Sequence, residues 1–156
     1  MPPKSAKAST RIALNRSLLA IIISVFFLII NLREEILFQK ILTVQLVLAI
    51  PLFITSILSY SKIGYRNEIK RWNILGYITF IFAYAFMLNV IGILLGDIVG
   101  VAIALIFFAS SWILTLTYSF VDISYDKSVI KERIIKDSLF ISIQIILGVL
   151  VVLGVI

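Results

Sequence analysis

The fold is decided by residues 72–121, which read WNILGYITFIFAYAFMLNVIGILLGDIVGVAIALIFFASSWILTLTYSFV. The whole stretch carries one charge, at Asp97. A helix needs about 20 apolar residues to cross the ~30 Å hydrocarbon layer of a bilayer, so there is room for two crossings. An Asp at the centre of a membrane helix costs about 2.5–3.5 kcal/mol, whereas Gly96 and Asp97 together favour a tight turn. The stretch therefore predicts two membrane helices, residues 72–96 and 98–121, joined at Asp97.

Three more apolar stretches predict further membrane helices, at residues 12–32, 41–61 and 138–156. The chain is 62% hydrophobic and 14% charged, against about 45–50% and about 25% in soluble domains. A chain of 156 residues cannot hide this excess in a water-soluble core, because so small a globule leaves much of its surface exposed. Barrel strands would alternate apolar and polar residues, which these runs do not. The sequence predicts an all-α polytopic integral membrane protein, a bundle of five transmembrane helices in the cell membrane.

The distribution of basic residues predicts the orientation. Twelve of the fourteen Lys and Arg residues fall in residues 4–16, in the second loop and in the fourth loop, which lie on one side of a five-span chain. By the positive-inside rule that side is cytoplasmic, so the N-terminus is predicted inside and the C-terminus outside. The net charge of +6 is explained by these loops, and we therefore expect no nucleic-acid partner.

The chain divides into a predicted disordered cytoplasmic arm, residues 1–10, and a single transmembrane domain, residues 11–156. Residues 122–137 predict a helical lead-in to the last span that lies near the headgroups. Their basic residues should favour anionic lipid headgroups at the cytoplasmic face, in addition to the bilayer itself.

The chemistry available to the chain is narrow. The sequence has no His and no Cys, which removes the usual zinc and haem ligands and the commonest general acid–base residue. We assign no catalytic residue, metal or cofactor. Polar side chains within spans are the natural candidates, since intramembrane polarity is expensive. From their depths, we expect interhelical hydrogen bonds between Gln45 and Asn89, and between Gln144 and Ser111 or Thr115. The alternative is functional: Gln45, Asn89 and Asp97 form the rim of an outward-facing polar pocket.

Small residues also suggest close packing. Gly92, Gly96 and Gly100 are spaced four apart, which favours close approach of the third and fourth helices at their hairpin. Gly100, Ala104, Ser111 and Thr115 give the fourth helix a small-residue face that is alternatively a homo-oligomer contact. Pro51, in mid-span, predicts a kink in the second helix.

Two classes of function stay open, with an enzyme as a remote third. The first is a non-enzymatic membrane component: a complex subunit, assembly factor or scaffold with a membrane-protein partner. The second is a small oligomeric transporter or channel for a neutral or lipid-like solute. The third is a Mg²⁺-dependent membrane transferase, because Asp122 and Asp126 lie four apart and would share one helical face near Lys127.

Overall fold

All regular secondary structure is helical in the residues that the computed structural model describes, which are 4–32, 40–63 and 69–155. The helices are α1 (Lys4–Leu32), α2 (Lys40–Lys62), α3 (Ile69–Ile98), α4 (Val101–Tyr125) and α5 (Ile130–Gln144). A 3₁₀ turn, Lys127–Val129, precedes α5. After α5 the chain continues through a π-helical turn, Ile145–Val149, into α6 (Leu150–Val152).

Within those ranges, five helical segments are long and apolar enough to cross a membrane. They are Ala8–Asn31, Lys40–Lys62, Lys70–Ile98, Val101–Tyr125 and Ile130–Val152. The shortest has 23 residues, which at ~1.5 Å per residue is longer than the ~30 Å hydrocarbon layer. The all-helical prediction, with span-length helices in these five places, is therefore confirmed.

The first helix begins earlier than the sequence predicts. It starts at Lys4, so residues 4–10, expected to belong to a disordered arm, are helical. Ala6 and Ala8 are strong helix formers, and extending an existing helix avoids the cost of nucleating a new one. Residues 1–3 of the arm lie outside the described residues, as do 33–39 and 64–68, which make up most of the first two predicted loops.

The break between α3 and α4 falls later than predicted. Gly96 and Asp97 are helical, and α3 ends at Ile98. The turn is made by Val99 and Gly100, whose amides both bond to the Leu95 carbonyl at 2.9 and 3.1 Å. Gly100 adopts φ 127° and ψ 155°, a conformation essentially restricted to glycine. The predicted turn at Gly96 and Asp97 is therefore wrong in position, because the glycine that adopts positive φ is Gly100, four residues after Gly96.

The chain separates into two compact units, Met1–Met87 and Leu88–Ile156. The boundary falls inside α3, which contributes to both. The prediction that residues 11–156 form a single domain stays a prediction.

The first unit is built from α1, α2 and the first part of α3, with α1 packed along α2. Large apolar side chains fill it, among them Ile22, Leu46 and Phe53, all fully buried. The Phe53 ring meets Phe80 edge-on, with centroids 6.5 Å apart. Pro51 lies within α2, where the Thr55 hydroxyl donates to the Pro51 carbonyl at 2.8 Å.

The second unit is packed around Phe108 of α4, which is 1% exposed. A Cβ at Gly92 of α3 would lie 2.3 Å from Phe108 Cζ, and one at Gly148 of the π-helical turn would lie 2.8 Å from the same atom. The ring therefore occupies space that two glycines leave open. Near the hairpin, a Cβ at Gly96 would meet Ala104 at 3.5 Å. The glycines thus bring α3 and α4 together, as the hairpin interpretation expects.

Candidate functional site

A polar network links the three helices of the first unit, and its outer layer is centred on Arg11. The Arg11 Nη1 atom donates to Asn73 Oδ1 at 2.8 Å and to Tyr60 OH at 3.2 Å. The guanidinium carbon also lies 5.0 Å from the centre of the Tyr60 ring, within range of a cation–π interaction. One half-buried cation of α1 therefore contacts both α2 and α3.

The inner layer of the network lies one helical turn further along α1. Asn15 Nδ2 donates to Ser56 Oγ at 2.8 Å, and Ser56 Oγ donates to the Gly76 carbonyl at 2.7 Å. Asn15 and Ser56 are 1% and 0% exposed. A Cβ at Gly76 would lie 3.1 Å from Ser59 Cβ, so a side chain at residue 76 would crowd α2 where the hydrogen bond forms.

Sequence reasoning missed this network, although its spacing is visible in the sequence. Arg11 and Asn15 lie four apart on α1, and Ser56 and Tyr60 lie four apart on α2, so each pair shares a helical face. The sequence places Arg11 directly before the first predicted span, residues 12–32, and Asn15 near the start of that span. Their partners are 41 to 62 residues away, and no local pattern identifies them.

The polar centre of the second unit is Gln144, which is fully buried. Its Oε1 atom accepts hydrogen bonds from Trp112 Nε1 at 2.6 Å and Ser111 Oγ at 3.2 Å. The expected hydrogen bond between Gln144 and Ser111 is therefore present, and Trp112, for which no partner was predicted, is the second donor. Nearby, Asn89 Nδ2 lies 3.4 Å from the Ile143 carbonyl. These bonds join α3, α4 and α5.

Gln144 also carries a buried donor. Its Nε2 atom has no hydrogen-bond partner among the described residues. The backbone changes to π-helical geometry at Ile145, directly after it. Turns of this kind are rare and are frequent at functional sites.

The three residues of the predicted outward-facing pocket lie in different environments. Gln45 is buried in the first unit and Asn89 is buried in the second. Asp97 is exposed, on the last turn of α3. Eight residues separate Asn89 from Asp97 along one helix, which is about 12 Å. The polar pocket and the Gln45–Asn89 pairing both stay predictions.

One residue of the predicted small-residue face of α4 is buried within its own unit. Ala104 is fully buried, and Gly100, Ser111 and Thr115 are half-buried. Ser111 is already bonded to Gln144. The homo-oligomer alternative for this face stays a prediction.

The two carboxylates of the predicted Mg²⁺ motif do not share a helical face. Asp122 lies within α4 and forms an ion pair with Arg133. Asp126 lies beyond the end of α4 in an extended conformation, where its side chain accepts from the Ser128 hydroxyl at 2.6 Å and the Ser128 amide at 2.9 Å. Those two bonds hold the pKa of the Asp126 carboxyl below its usual value. In the described part of the chain, no group of three or more Asp, Glu, His or Cys side chains is placed to hold a metal ion.

Basic residues of α5 collect around Tyr118 of α4. Arg133 and Lys136 place their charged groups 5.5 and 5.7 Å from the Tyr118 ring centre. Lys136 Nζ donates to Ser119 Oγ at 3.0 Å and pairs with Asp137 Oδ1 at 2.8 Å. Both cations therefore have an acidic partner within the second unit.

Comparison of the chain with protein-family models, with curated proteins and with solved structures gave no match. Its function has to be argued from its own residues.

Proposed function

We propose that the chain is a multi-pass membrane protein with five spans, its N-terminus in the cytoplasm and its C-terminus outside. We further propose that it acts as a non-enzymatic subunit, assembly factor or scaffold of a membrane complex. The distribution of Lys and Arg supports the orientation. The helix lengths and their apolar composition support the five spans.

The observation that carries the proposal is the outer face of α4. Ile113, Leu114 and Phe120 are 65%, 69% and 74% exposed. A run of large apolar side chains of this extent marks a surface for lipid or for another protein. Exposed Ala109 and Ser110 lie on the same helix, and small residues let a partner helix approach closely.

The buried polar groups support a structural use of the interior. Asn15 with Ser56, and Gln144 with Ser111 and Trp112, form hydrogen bonds that tie helices together within each unit. Such bonds are worth about 0.6–2 kcal/mol each between membrane helices. A scaffold needs a fixed helical surface, which these bonds help to maintain.

Native mass spectrometry after gentle extraction from the native membrane tests the proposal. A hetero-complex of defined mass is expected. An Ala109→Trp variant should lose the partner if α4 is the contact, while Ala20→Trp, at an exposed position of α1, serves as the matched control. A homo-oligomer as the sole species would contradict the proposal.

The orientation has its own test. A C-terminal reporter that is active only outside the cytoplasm should give signal. Signal from a cytoplasm-only reporter at the same position would contradict the five-span arrangement.

One observation favours the second candidate, a small oligomeric transporter or channel. The buried Gln144 Nε2 has no acceptor among the described residues, and a carbonyl or hydroxyl oxygen of a neutral solute could accept its hydrogen bond. Solute flux into liposomes that is lost in Gln144→Leu, with the fold intact, would move this candidate ahead of the scaffold.

A further inference from the structure

Arg11 is a half-buried cation whose contacts are all neutral. Its guanidinium bonds to the Tyr60 hydroxyl and the Asn73 amide oxygen and lies over the Tyr60 ring. Within the described residues it makes no ion pair. Both bonds use the Nη1 nitrogen, so the Nη2 and Nε donors of the planar fork are left for another acceptor.

Two comparable cations of the second unit have acidic partners. In the second unit Arg133 is paired with Asp122, and Lys136 is paired with Asp137. Removing a charge from water is costly unless an opposite charge or hydrogen bonds compensate it. Arg11 is held in place by three groups that position its charge without neutralising it. This is the arrangement expected of a site for an anion.

The surroundings of Arg11 indicate the kind of anion. Lys62 ends α2 and Lys70 lies in the first turn of α3, both exposed, so this end of the first unit is basic. Large exposed apolar side chains begin at the same level: Leu14 follows Arg11 on α1 and is 50% exposed, and Ile74 follows Asn73 on α3 and is 47% exposed. A ligand that fits both features has a phosphate at one end and hydrocarbon at the other.

We propose that Arg11, positioned by Tyr60 and Asn73, binds the phosphate of an anionic phospholipid at this end of the first unit. The assignment rests on the proposed membrane location of the chain. Arginine suits the role because its fork matches two phosphate oxygens at once. The adjoining Leu14 and Ile74 surface takes the acyl chains.

The test uses the full chain, purified in mild detergent, stripped of lipid and titrated with phosphatidylglycerol or phosphatidylcholine. Retained lipid is counted by native mass spectrometry. The wild-type chain should retain phosphatidylglycerol preferentially, and high salt should weaken the preference because it screens an exposed charge. Arg11→Gln should lower phosphatidylglycerol retention by about tenfold or more, the effect of losing charge-assisted hydrogen bonds. Arg11→Lys should fall between the two, because it keeps the charge and loses the fork.

Arg16→Gln is the matched control, since Arg16 is exposed on the same helix and has no described partner. It should retain phosphatidylglycerol like the wild-type chain. Equal retention of both lipids by the wild-type chain, or an equal loss in the Arg11 and Arg16 variants, would overturn the proposal. The proposal would also be overturned if glycerol phosphate protected the chain against thermal unfolding as well as phosphatidylglycerol does, because the site would then be assigned to a soluble phosphate. If Arg11→Gln does not fold, Arg11→Lys decides the matter, because it keeps the charge and should still retain less phosphatidylglycerol than the wild-type chain.

This experiment needs neither a partner protein nor a defined orientation. A failure would therefore leave the membrane-complex proposal untouched. The absence of a hetero-complex would likewise leave the lipid result standing.

Discussion

Replacing Gly92 by Ala is the sharpest test of the packing in the second unit. The new Cβ would lie 2.3, 2.7 and 2.9 Å from three carbons of the Phe108 ring, where carbon atoms normally sit about 3.5–4.0 Å apart. The ring has little room to move away, because it also lies so close to the Gly148 backbone that a Cβ at residue 148 would be 2.8 Å from Phe108 Cζ. Overpacking of a core costs about 1–3 kcal/mol. Since alanine in a helix regains up to about 1 kcal/mol over glycine, we expect a net loss of about 1–2 kcal/mol.

Gly96→Ala is the matched control, one turn further along the same helix. Its Cβ would lie 3.3 Å from Val152 and 3.5 Å from Ala104, which is close to ordinary contact. This variant should be as stable as the wild-type chain or slightly more stable. Thermal unfolding in detergent, followed by circular dichroism, should separate the two variants by about 2–8 °C, at about 2–4 °C per kcal/mol for a chain of this size.

A double-mutant cycle isolates the contact between residue 92 and the Phe108 ring. Phe108→Leu removes the ring atoms that the Gly92→Ala methyl group would strike, so the alanine should cost much less in that background. A coupling free energy of about 1–2 kcal/mol is expected. Equal stabilities for Gly92→Ala and Gly96→Ala, or a cycle without coupling, would refute the placement of Phe108 between the two glycines.

Three further predictions can be measured in the same unfolding assay. Gly100→Ala should cost about 1–3 kcal/mol through backbone strain alone, since its Cβ would meet nothing within 4 Å; a neutral result would contradict the positive φ. Gln144→Leu should cost about 0.6–2 kcal/mol and shift the fluorescence of Trp112, whose indole N–H loses its acceptor; an unchanged spectrum would argue against that hydrogen bond. Asn15→Leu and Ser56→Ala should each destabilise the chain, and the two losses should not add, because both remove the same bond. Strict additivity would show that the two side chains act independently.

The position of a helix break shows where sequence reasoning reaches its limit. The single charge at Asp97 was enough to predict two helices, because a buried carboxylate is too costly for one continuous span. It was not enough to locate the turn. Helix α3 continues to Ile98 and the chain reverses at Gly100, since both glycines fit a turn and only the backbone shows which one adopts positive φ.

Some of the buried polar side chains could be identified from the sequence and others could not. Gln144 was identified from its polarity and depth, and its bond to Ser111 follows from helix geometry. Arg11 was not identified, because a basic residue near the start of a span is explained by membrane orientation alone. Its bonds to Tyr60 and Asn73 depend on how α1, α2 and α3 pack, which no local pattern records.

The sequence alone predicted an all-helical chain and the location of its five long apolar helices, because the length and apolar content of each run can be read residue by residue. The tertiary structure decided which faces of the helices are used within the chain. It placed Phe108 against Gly92 and Gly148 and gave Gln144 two hydrogen-bond donors, Ser111 and Trp112. These outcomes depend on distances between residues far apart in the chain, and composition and spacing do not constrain such distances.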